Sequence, residues 1–298
     1  MKSFSTLVFL VLLTSIGMKA QMPVKLTEDS LKIGKTNMPG ITVTIPEVNF
    51  ESTLKTWIKE LESGTKSKVI TDNNEMSVFG AKLKDIAPNP INVYSKLIKQ
   101  DSTLQLTVAF ELKKDQYIDR TGTAAEFSKA ENYLKSFAKD RYIDLVKSSA
   151  DVEEKKLREI EKELSSLERE KNRMQKSITS NNTTITTVKG YITVQNNELT
   201  TVSAAIIEHN KLLSEMSEGP DKDAKVKYIK DLEKRQKKAQ NSIEDSNNKI
   251  NRTNNDTDKI NNDIPKTDKM MEEVNEKIQA QQAVVAKVTD KLKKIKSY

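Results

Sequence analysis

The sequence contains no cysteine, a single histidine and a single tryptophan. The absence of cysteine excludes disulfides, thiolate metal sites and cysteine nucleophiles. His209 has no second imidazole to share a metal with, and the sequence predicts no catalytic, metal-binding or cofactor-binding residue. Aromatic residues make up 5% and hydrophobic residues 36% of the 298 residues, below the about 45 to 50% apolar content of compact globular chains. Much of the chain therefore cannot be buried in a core.

Charged residues are abundant but nearly balanced in sign. Lys and Arg number 50 and Asp and Glu 43, which gives a formal net charge of +7. Such a mixture is typical of solvated helices. Basic clusters at residues 234 to 238 and 287 to 296 lack the interleaved aromatic residues of nucleic-acid binding surfaces. The sequence predicts no nucleic-acid partner, while an anionic envelope surface or an acidic protein stays an alternative partner for these clusters.

The first 20 residues have the pattern of a secretory signal peptide. Lys2 precedes an apolar run over residues 4 to 16, and Ala20 is a small residue suited to cleavage before Gln21. The run is shorter than the ~18 residues that a spanning helix needs, although a membrane anchor is the alternative. No other stretch is apolar enough to span a bilayer. We expect an exported product, periplasmic or secreted, with no transmembrane span after cleavage.

A small α+β domain is predicted over residues 41 to 142, after a lead-in at residues 21 to 40 that shows no regular period. Alternating apolar residues at 41 to 45 predict a strand with one buried face. An amphipathic helix follows, with apolar residues at helical spacing: Phe50, Leu54, Trp57, Ile58 and Leu61. Strands are also predicted at residues 91 to 100 and 103 to 113, and the short link at residues 100 to 102 predicts a hairpin between them. The order β-α-β-β-β-α, closed by a helix from about Thr123, indicates one antiparallel sheet with helices on one face.

From residue 143 onward the apolar residues follow a seven-residue repeat. With Leu157 at position a, the a positions of residues 143 to 216 are apolar except Lys171, and most d positions are apolar as well. A second repeat runs through residues 224 to 298 and places Ile229 at a. A repeat held without a slip keeps one apolar seam facing a partner helix. The sequence therefore predicts two coiled-coil arms.

A hairpin turn is predicted between the arms, at residues 217 to 223. Gly219 and Pro220 end the first helix, and Asp221 or Asp223 is suited to begin the next. The arms are nearly equal in length, about 110 Å each at the rise of an α-helix. Equal arms favour an antiparallel hairpin within one chain, with Gly219 and Pro220 at its tip. The same seams also fit a helix exchange between protomers, so a homo-oligomer stays open.

Two Asn- and Thr-rich segments are predicted to form a weak waist in this hairpin. Residues 181 to 187 (NNTTITT) and 252 to 258 (RTNNDTD) are poor helix formers and face each other if the turn lies near Gly219. We expect a kink or fraying there, around the polar residues Asn181, Asn182, Thr253 and Thr257. The alternative is that each run is a loop between the shorter helices of a bundle.

His209 falls at a d position of the first arm, which favours a place in the seam over a role as ligand or base. Histidine is the side chain that changes its charge between about pH 5 and pH 8. If His209 is buried between the arms, its protonation is predicted to loosen that layer of the seam.

This organisation predicts a non-enzymatic structural or interaction protein without a cofactor. The small domain would bind or anchor, and the hairpin would act as a spacer or docking arm towards protein partners in the cell envelope. A second hypothesis comes from a resemblance, since a signal peptide, a basic mature chain and helical arms are similar in layout to periplasmic chaperones of the Skp/OmpH type. The resemblance implies a holdase that clasps unfolded outer-membrane proteins. Here all predicted strands precede the hairpin, whereas that family completes its β body after it.

Overall fold

The computed structural model describes residues 24 to 297. The chain divides into two compact units, one formed by the residues up to Glu153 together with those from Val285 onward, and the other by Glu154–Val284. The predicted signal peptide lies outside the described residues. In the described part of the chain, no helix combines the length and the apolar character needed to cross a membrane.

The first unit is built on one antiparallel sheet. Its strands are β1 (Lys25–Ile33), β2 (Thr36–Pro46), β3 (Ile70–Asp72), β4 (Glu75–Ala81), β5 (Ile91–Gln100), β6 (Thr103–Lys113) and β7 (Gln116–Tyr117). The strands pair in the order β1-β2-β6-β5-β4-β3, and β7 pairs with the end of β6. The predicted antiparallel sheet is confirmed, with more strands than the order β-α-β-β-β-α contains.

The range interpreted as a lead-in, residues 21 to 40, contains β1 and the beginning of β2. β1 is an edge strand whose residues are mostly exposed. It therefore lacks the apolar alternation that identifies a half-buried strand in a sequence. Its backbone nevertheless pairs with β2 along its whole length, and Gly34, at a φ of 57°, lies in the turn between them.

Two helices pack on one face of the sheet: α1 (Phe50–Leu61) and the first turns of α2 (Ala124–Ser214). Asn49 caps α1 by accepting a hydrogen bond from the backbone N–H of Ser52 at 3.0 Å. Trp57 is fully buried between α1 and the sheet. Its indole N–H donates to Ser95 Oγ at 2.9 Å, and the ring of Phe137 lies edge-on to it at 4.9 Å.

The second unit is an antiparallel helical hairpin formed by α2 and α3 (Pro220–Ser297). The predicted a and d residues between 154 and 284 are all buried or half-buried, while most positions between them are exposed. Side chains also bond across the two arms: Lys171 Nζ to Asp268 Oδ1 at 2.6 Å, Asn181 Nδ2 to Thr257 Oγ1 at 3.0 Å and Gln236 Nε2 to Ser203 Oγ at 3.0 Å. The predicted helical hairpin is confirmed.

Both helices are longer than the predicted arms. α2 begins at Ala124 and continues without a break past residue 143, where the prediction began the first arm. Both Asn- and Thr-rich segments, residues 181 to 187 and 252 to 258, are helical, and α3 runs on through Pro265. The alternative of loops between shorter helices at these segments is therefore wrong.

Candidate functional site

The face of the sheet opposite α1 carries a shallow cavity of about 450 Å³. It lies beside the β1–β2 and β6–β7 turns, and we call it the Glu111 cavity after the charged residue at its centre. Its walls are formed mainly by Met38, Asn92, Tyr94, Glu111, Lys114 and Tyr117. This cavity is the candidate binding site of the first unit.

The alternation of two neighbouring strands brings the central residues of the cavity together. On β6 the side chains of Val108 and Phe110 enter the core against α1 and α2, so Glu111 points to the opposite face. On β5 the same alternation directs Asn92 and Tyr94 to that face. Asn92 and Glu111 are direct cross-strand partners in the antiparallel ladder, and their side chains can therefore meet.

Both carboxylate oxygens of Glu111 accept hydrogen bonds inside the protein. Its side chain and backbone are together only 6% exposed. One carboxylate oxygen accepts hydrogen bonds from Asn92 Nδ2 at 2.7 Å and from the Tyr94 hydroxyl at 3.2 Å. The other accepts from the backbone N–H of Asp115 at 3.0 Å. Asn92 is fixed in turn, because its Oδ1 accepts from the backbone N–H of Gly80 at 3.1 Å.

These contacts determine the charge state of the cavity. Burial alone would raise the pKa of Glu111, but the hydrogen bonds from Asn92, Asp115 and Tyr94 outweigh it and hold that pKa below its usual value. Burial, together with the negative charge of Glu111, raises the pKa of Tyr94 to about 12. Burial and the same charge also raise the pKa of Tyr117. At neutral pH the cavity therefore holds an ionised carboxylate between two neutral phenols.

Apolar groups continue the surface on both sides of the carboxylate. Leu31, Met38 and Ala109 form a small buried cluster on this face, with Tyr94 and Tyr117 packed against it. On the other side Phe79 is half exposed, and its ring meets that of Tyr94 at right angles with 6.1 Å between centroids. An apolar and aromatic rim around one buried charge is typical of sites that bind small organic groups.

The sequence did not lead to this cavity. The alternation in β5 and β6 was visible, and it would have placed Asn92, Tyr94 and Glu111 on the face opposite the apolar residues. The short link between these two strands also predicted that they pair as a hairpin. Met38 lies in the part of β2 before the predicted strand at residues 41 to 45, and Tyr117 lies in β7, which was not predicted, so the walls of the cavity could not be assembled.

The predicted hairpin tip lies where the two helices meet. α2 ends at Ser214 and α3 begins at Pro220, with Gly219 directly before it. The carbonyl of Gly219 accepts from the backbone N–H groups of Lys222 and Asp223, at 3.0 and 3.2 Å, and so begins the new helix. Large apolar side chains are exposed in the neighbouring turns of the hairpin: Ile207, Leu212 and Tyr228.

His209 is half-buried in the seam, as its d position predicted. The ring of Tyr228 on α3 meets it nearly at right angles, with centroids 4.9 Å apart. Lys225 Nζ lies 3.4 Å from His209 Nδ1. Both contacts come from the opposite arm, so His209 takes part in the pairing of the arms near the tip.

The four predicted waist residues have different environments. Asn181 and Thr257 meet in the seam through the hydrogen bond described above, and the Thr257 hydroxyl donates in turn to the carbonyl of Thr253 at 2.9 Å. Thr253 is half-buried and donates to the carbonyl of Lys249. Asn182 is exposed on the outside of α2. The structure brings together one pair of the four, and the weakness of the waist stays a prediction.

The chemistry of the Glu111 cavity is suited to holding a ligand, because its carboxylate is ionised and its tyrosines keep their protons.

No known protein family matches the chain, and no curated protein matches it. In the described part of the chain, no group of three or more His, Cys, Asp or Glu residues is arranged to hold a metal ion. Function is therefore inferred from the sheet unit and the hairpin themselves.

Proposed function

We propose that this chain is an exported, non-enzymatic interaction protein of the cell envelope. In this proposal the sheet unit binds or anchors through its Glu111 cavity, and the helical hairpin acts as a spacer or docking arm. The observation that carries the proposal is the unbroken seam of the hairpin, in which every a and d residue from 154 to 284 is buried or half-buried.

A closed seam favours an arm with its own stable pairing. From residue 154 to Ser214, the first arm of this unit rises about 90 Å at 1.5 Å per residue. Because the apolar side chains of the seam pack between the two arms, few of them are left to bind a client. Such a hairpin is suited to act as a spacer of defined length. The side chains left exposed near the tip, among them Ile207 at 72% exposure, are suited to contact a partner protein.

Export is tested on the amino terminus of the purified protein. If the signal is cleaved at the predicted position, protein taken from the source cells begins at Gln21 and is recovered from the periplasm or the medium. Protein that keeps residues 1 to 20 and stays in the cytoplasm would contradict this part of the proposal.

Partner binding is tested by site-specific photocrosslinking in intact source cells. A photoreactive residue at Glu218, beside the tip, is expected to crosslink one protein reproducibly, whereas the same residue at the exposed mid-arm position Glu168 is not. The double variant Ile207→Ser with Leu212→Ser should remove that crosslink. Val194→Ser is the matched control, because Val194 is similarly exposed on the same helix but lies about 20 Å from Ile207 along it.

The holdase hypothesis gives a different result in the same experiment. A holdase would crosslink many unfolded outer-membrane proteins from both Glu218 and Glu168, and the purified chain would suppress their aggregation in vitro. Crosslinks of that kind, together with suppression that survives the tip substitutions, would refute the spacer proposal.

A further inference from the structure

Three hydrogen-bond donors of the Glu111 cavity are engaged with its carboxylate. The Asn92 amide, the Tyr94 hydroxyl and the Asp115 backbone N–H each donate to Glu111. The remaining lone pairs of the carboxylate and the phenol oxygens are acceptors. A ligand that bonds to the carboxylate must therefore supply a donor of its own.

The charge of Glu111 has no counter-ion among the described residues. No Lys or Arg forms an ion pair with it in this part of the chain, and the groups that stabilise its charge are neutral donors. Lys114 and Asp115 also line the cavity, so their opposite charges leave the net charge at that of Glu111. An ionised and largely buried carboxylate without an ion-pair partner attracts a positively charged donor.

The walls suit the apolar part of such a ligand. Tyr94 and Tyr117 offer aromatic faces, which attract cations, and Met38 offers a flexible thioether. The volume of about 450 Å³ lies in the range of small-ligand sites. An alkyl chain fits against these groups while its charged end reaches the carboxylate.

We infer that the Glu111 cavity binds a primary ammonium group carried on an alkyl chain, with the ammonium donating to Glu111 and the chain lying against Tyr94, Tyr117 and Met38. The source is either a free alkylamine or the lysine side chain of a protein. This inference rests on the proposed binding role of the sheet unit. It assigns Lys114 a competing role, since its side chain is the nearest cation at the rim.

The test is isothermal titration calorimetry of the full chain with n-butylammonium, and with n-butanol as the neutral ligand of similar shape. We expect n-butylammonium to bind and n-butanol not to. Glu111→Gln should weaken binding at least tenfold, and Lys114→Met should strengthen it. Glu75→Gln is the matched control and should leave binding unchanged, because Glu75 pairs with Lys96 outside the cavity.

A second variant guards against misfolding of Glu111→Gln. Tyr117→Ala leaves the hydrogen bonds of Glu111 in place and should still weaken n-butylammonium binding several-fold. The affinity should persist as the pH is lowered to the ordinary pKa of a glutamate and fall only below that, because the pKa of Glu111 lies below its usual value. Equal affinity of the wild type, Glu111→Gln and Tyr117→Ala, or equal binding of n-butanol, would overturn the inference.

A second ligand distinguishes the two sources of the ammonium group, a free alkylamine and a lysine side chain. Nα-acetyl-lysine N-methylamide, which keeps its side-chain ammonium, is titrated in the same way. It should bind at least as tightly as n-butylammonium if the site takes a lysine side chain, and more weakly than n-butylammonium if the site takes a free amine. Both results support an ammonium site. If no ligand binds but the crosslink at the hairpin tip is found, this inference is refuted and the proposed function stands. If the ligands bind but no crosslink is found at the tip, the proposed function is refuted and the ammonium site stands.

Discussion

The Asn- and Thr-rich waist of the hairpin is expected to open more often than the arms on either side of it. In α2 the hydroxyls of Thr183, Thr186 and Thr187 donate to the backbone carbonyls four residues earlier. These bonds compete with the helix ladder. Asn and Thr also have lower helix propensity than the Glu, Lys and Leu residues of the flanking turns. The helix is thus continuous at the waist but locally less stable.

The magnitude follows from four exposed positions. Changing Asn182, Thr183, Thr186 and Thr187 together to Ala removes no seam contact, since all four side chains face solvent. Each change is worth about 0.5 kcal/mol of helix propensity, or about 2 kcal/mol for the four. A difference of this size corresponds to about a 30-fold change in the opening equilibrium.

Hydrogen exchange followed by mass spectrometry measures that equilibrium peptide by peptide. In the wild type, amides of residues 181 to 187 and 252 to 258 should exchange faster than those of the flanking turns. The quadruple Ala variant should slow exchange at residues 181 to 187 about 30-fold. The control changes Glu161, Lys162 and Glu168, also exposed, to Ala and should alter exchange little. Equal protection along the whole wild-type arm, or no response to the quadruple change, would refute the reasoning.

Two further predictions concern a buried and a titrating group. Trp57→Phe leaves the Ser95 hydroxyl unpaired in the core and should lower the free energy of unfolding by about 1 to 3 kcal/mol. In denaturant titrations, adding Ser95→Ala should recover part of the lost free energy. No recovery in the double variant would contradict this explanation. The pKa of Tyr94 is raised from 10.0 to about 12. Its contribution to stability is therefore present below pH 10 and is lost as the pH rises through about 12. Ultraviolet titration should detect one phenol that ionises at this high pH, and Glu111→Gln should lower the pH at which it ionises.

The helical hairpin was predictable because its information is periodic and local. A seven-residue repeat specifies the seam, and one Gly-Pro turn specifies how the arms face each other. The segment from 181 to 187 was predicted to face 252 to 258, and the bond between Asn181 and Thr257 lies within that pairing. Continuity through the segment was less predictable, because low propensity in a few turns is overcome by the seam on both sides.

The sheet unit was predictable only where one face of a strand is buried against helices. β5 and β6 have the predicted bounds because their apolar residues alternate towards Trp57 and its neighbours. β1 was not predicted, because an edge strand with little burial has no alternation of apolar and polar residues. The Glu111 cavity depends on strand order, on β1 and on the two-residue β7, and these are long-range properties that composition and period do not contain.

The polar seam residues acquire a different meaning once the arms are paired. In the sequence, Lys171 and Asn181 interrupt the apolar repeat and count against stability. In the structure each has a partner on the opposite arm, Asp268 and Thr257. A slip of one heptad would bring Asn181 opposite Ile250 or Ile264 and leave its buried amide without a partner, which costs more than the apolar contacts regain. These residues therefore lower the stability of the seam while selecting one register, as polar residues do in other coiled coils.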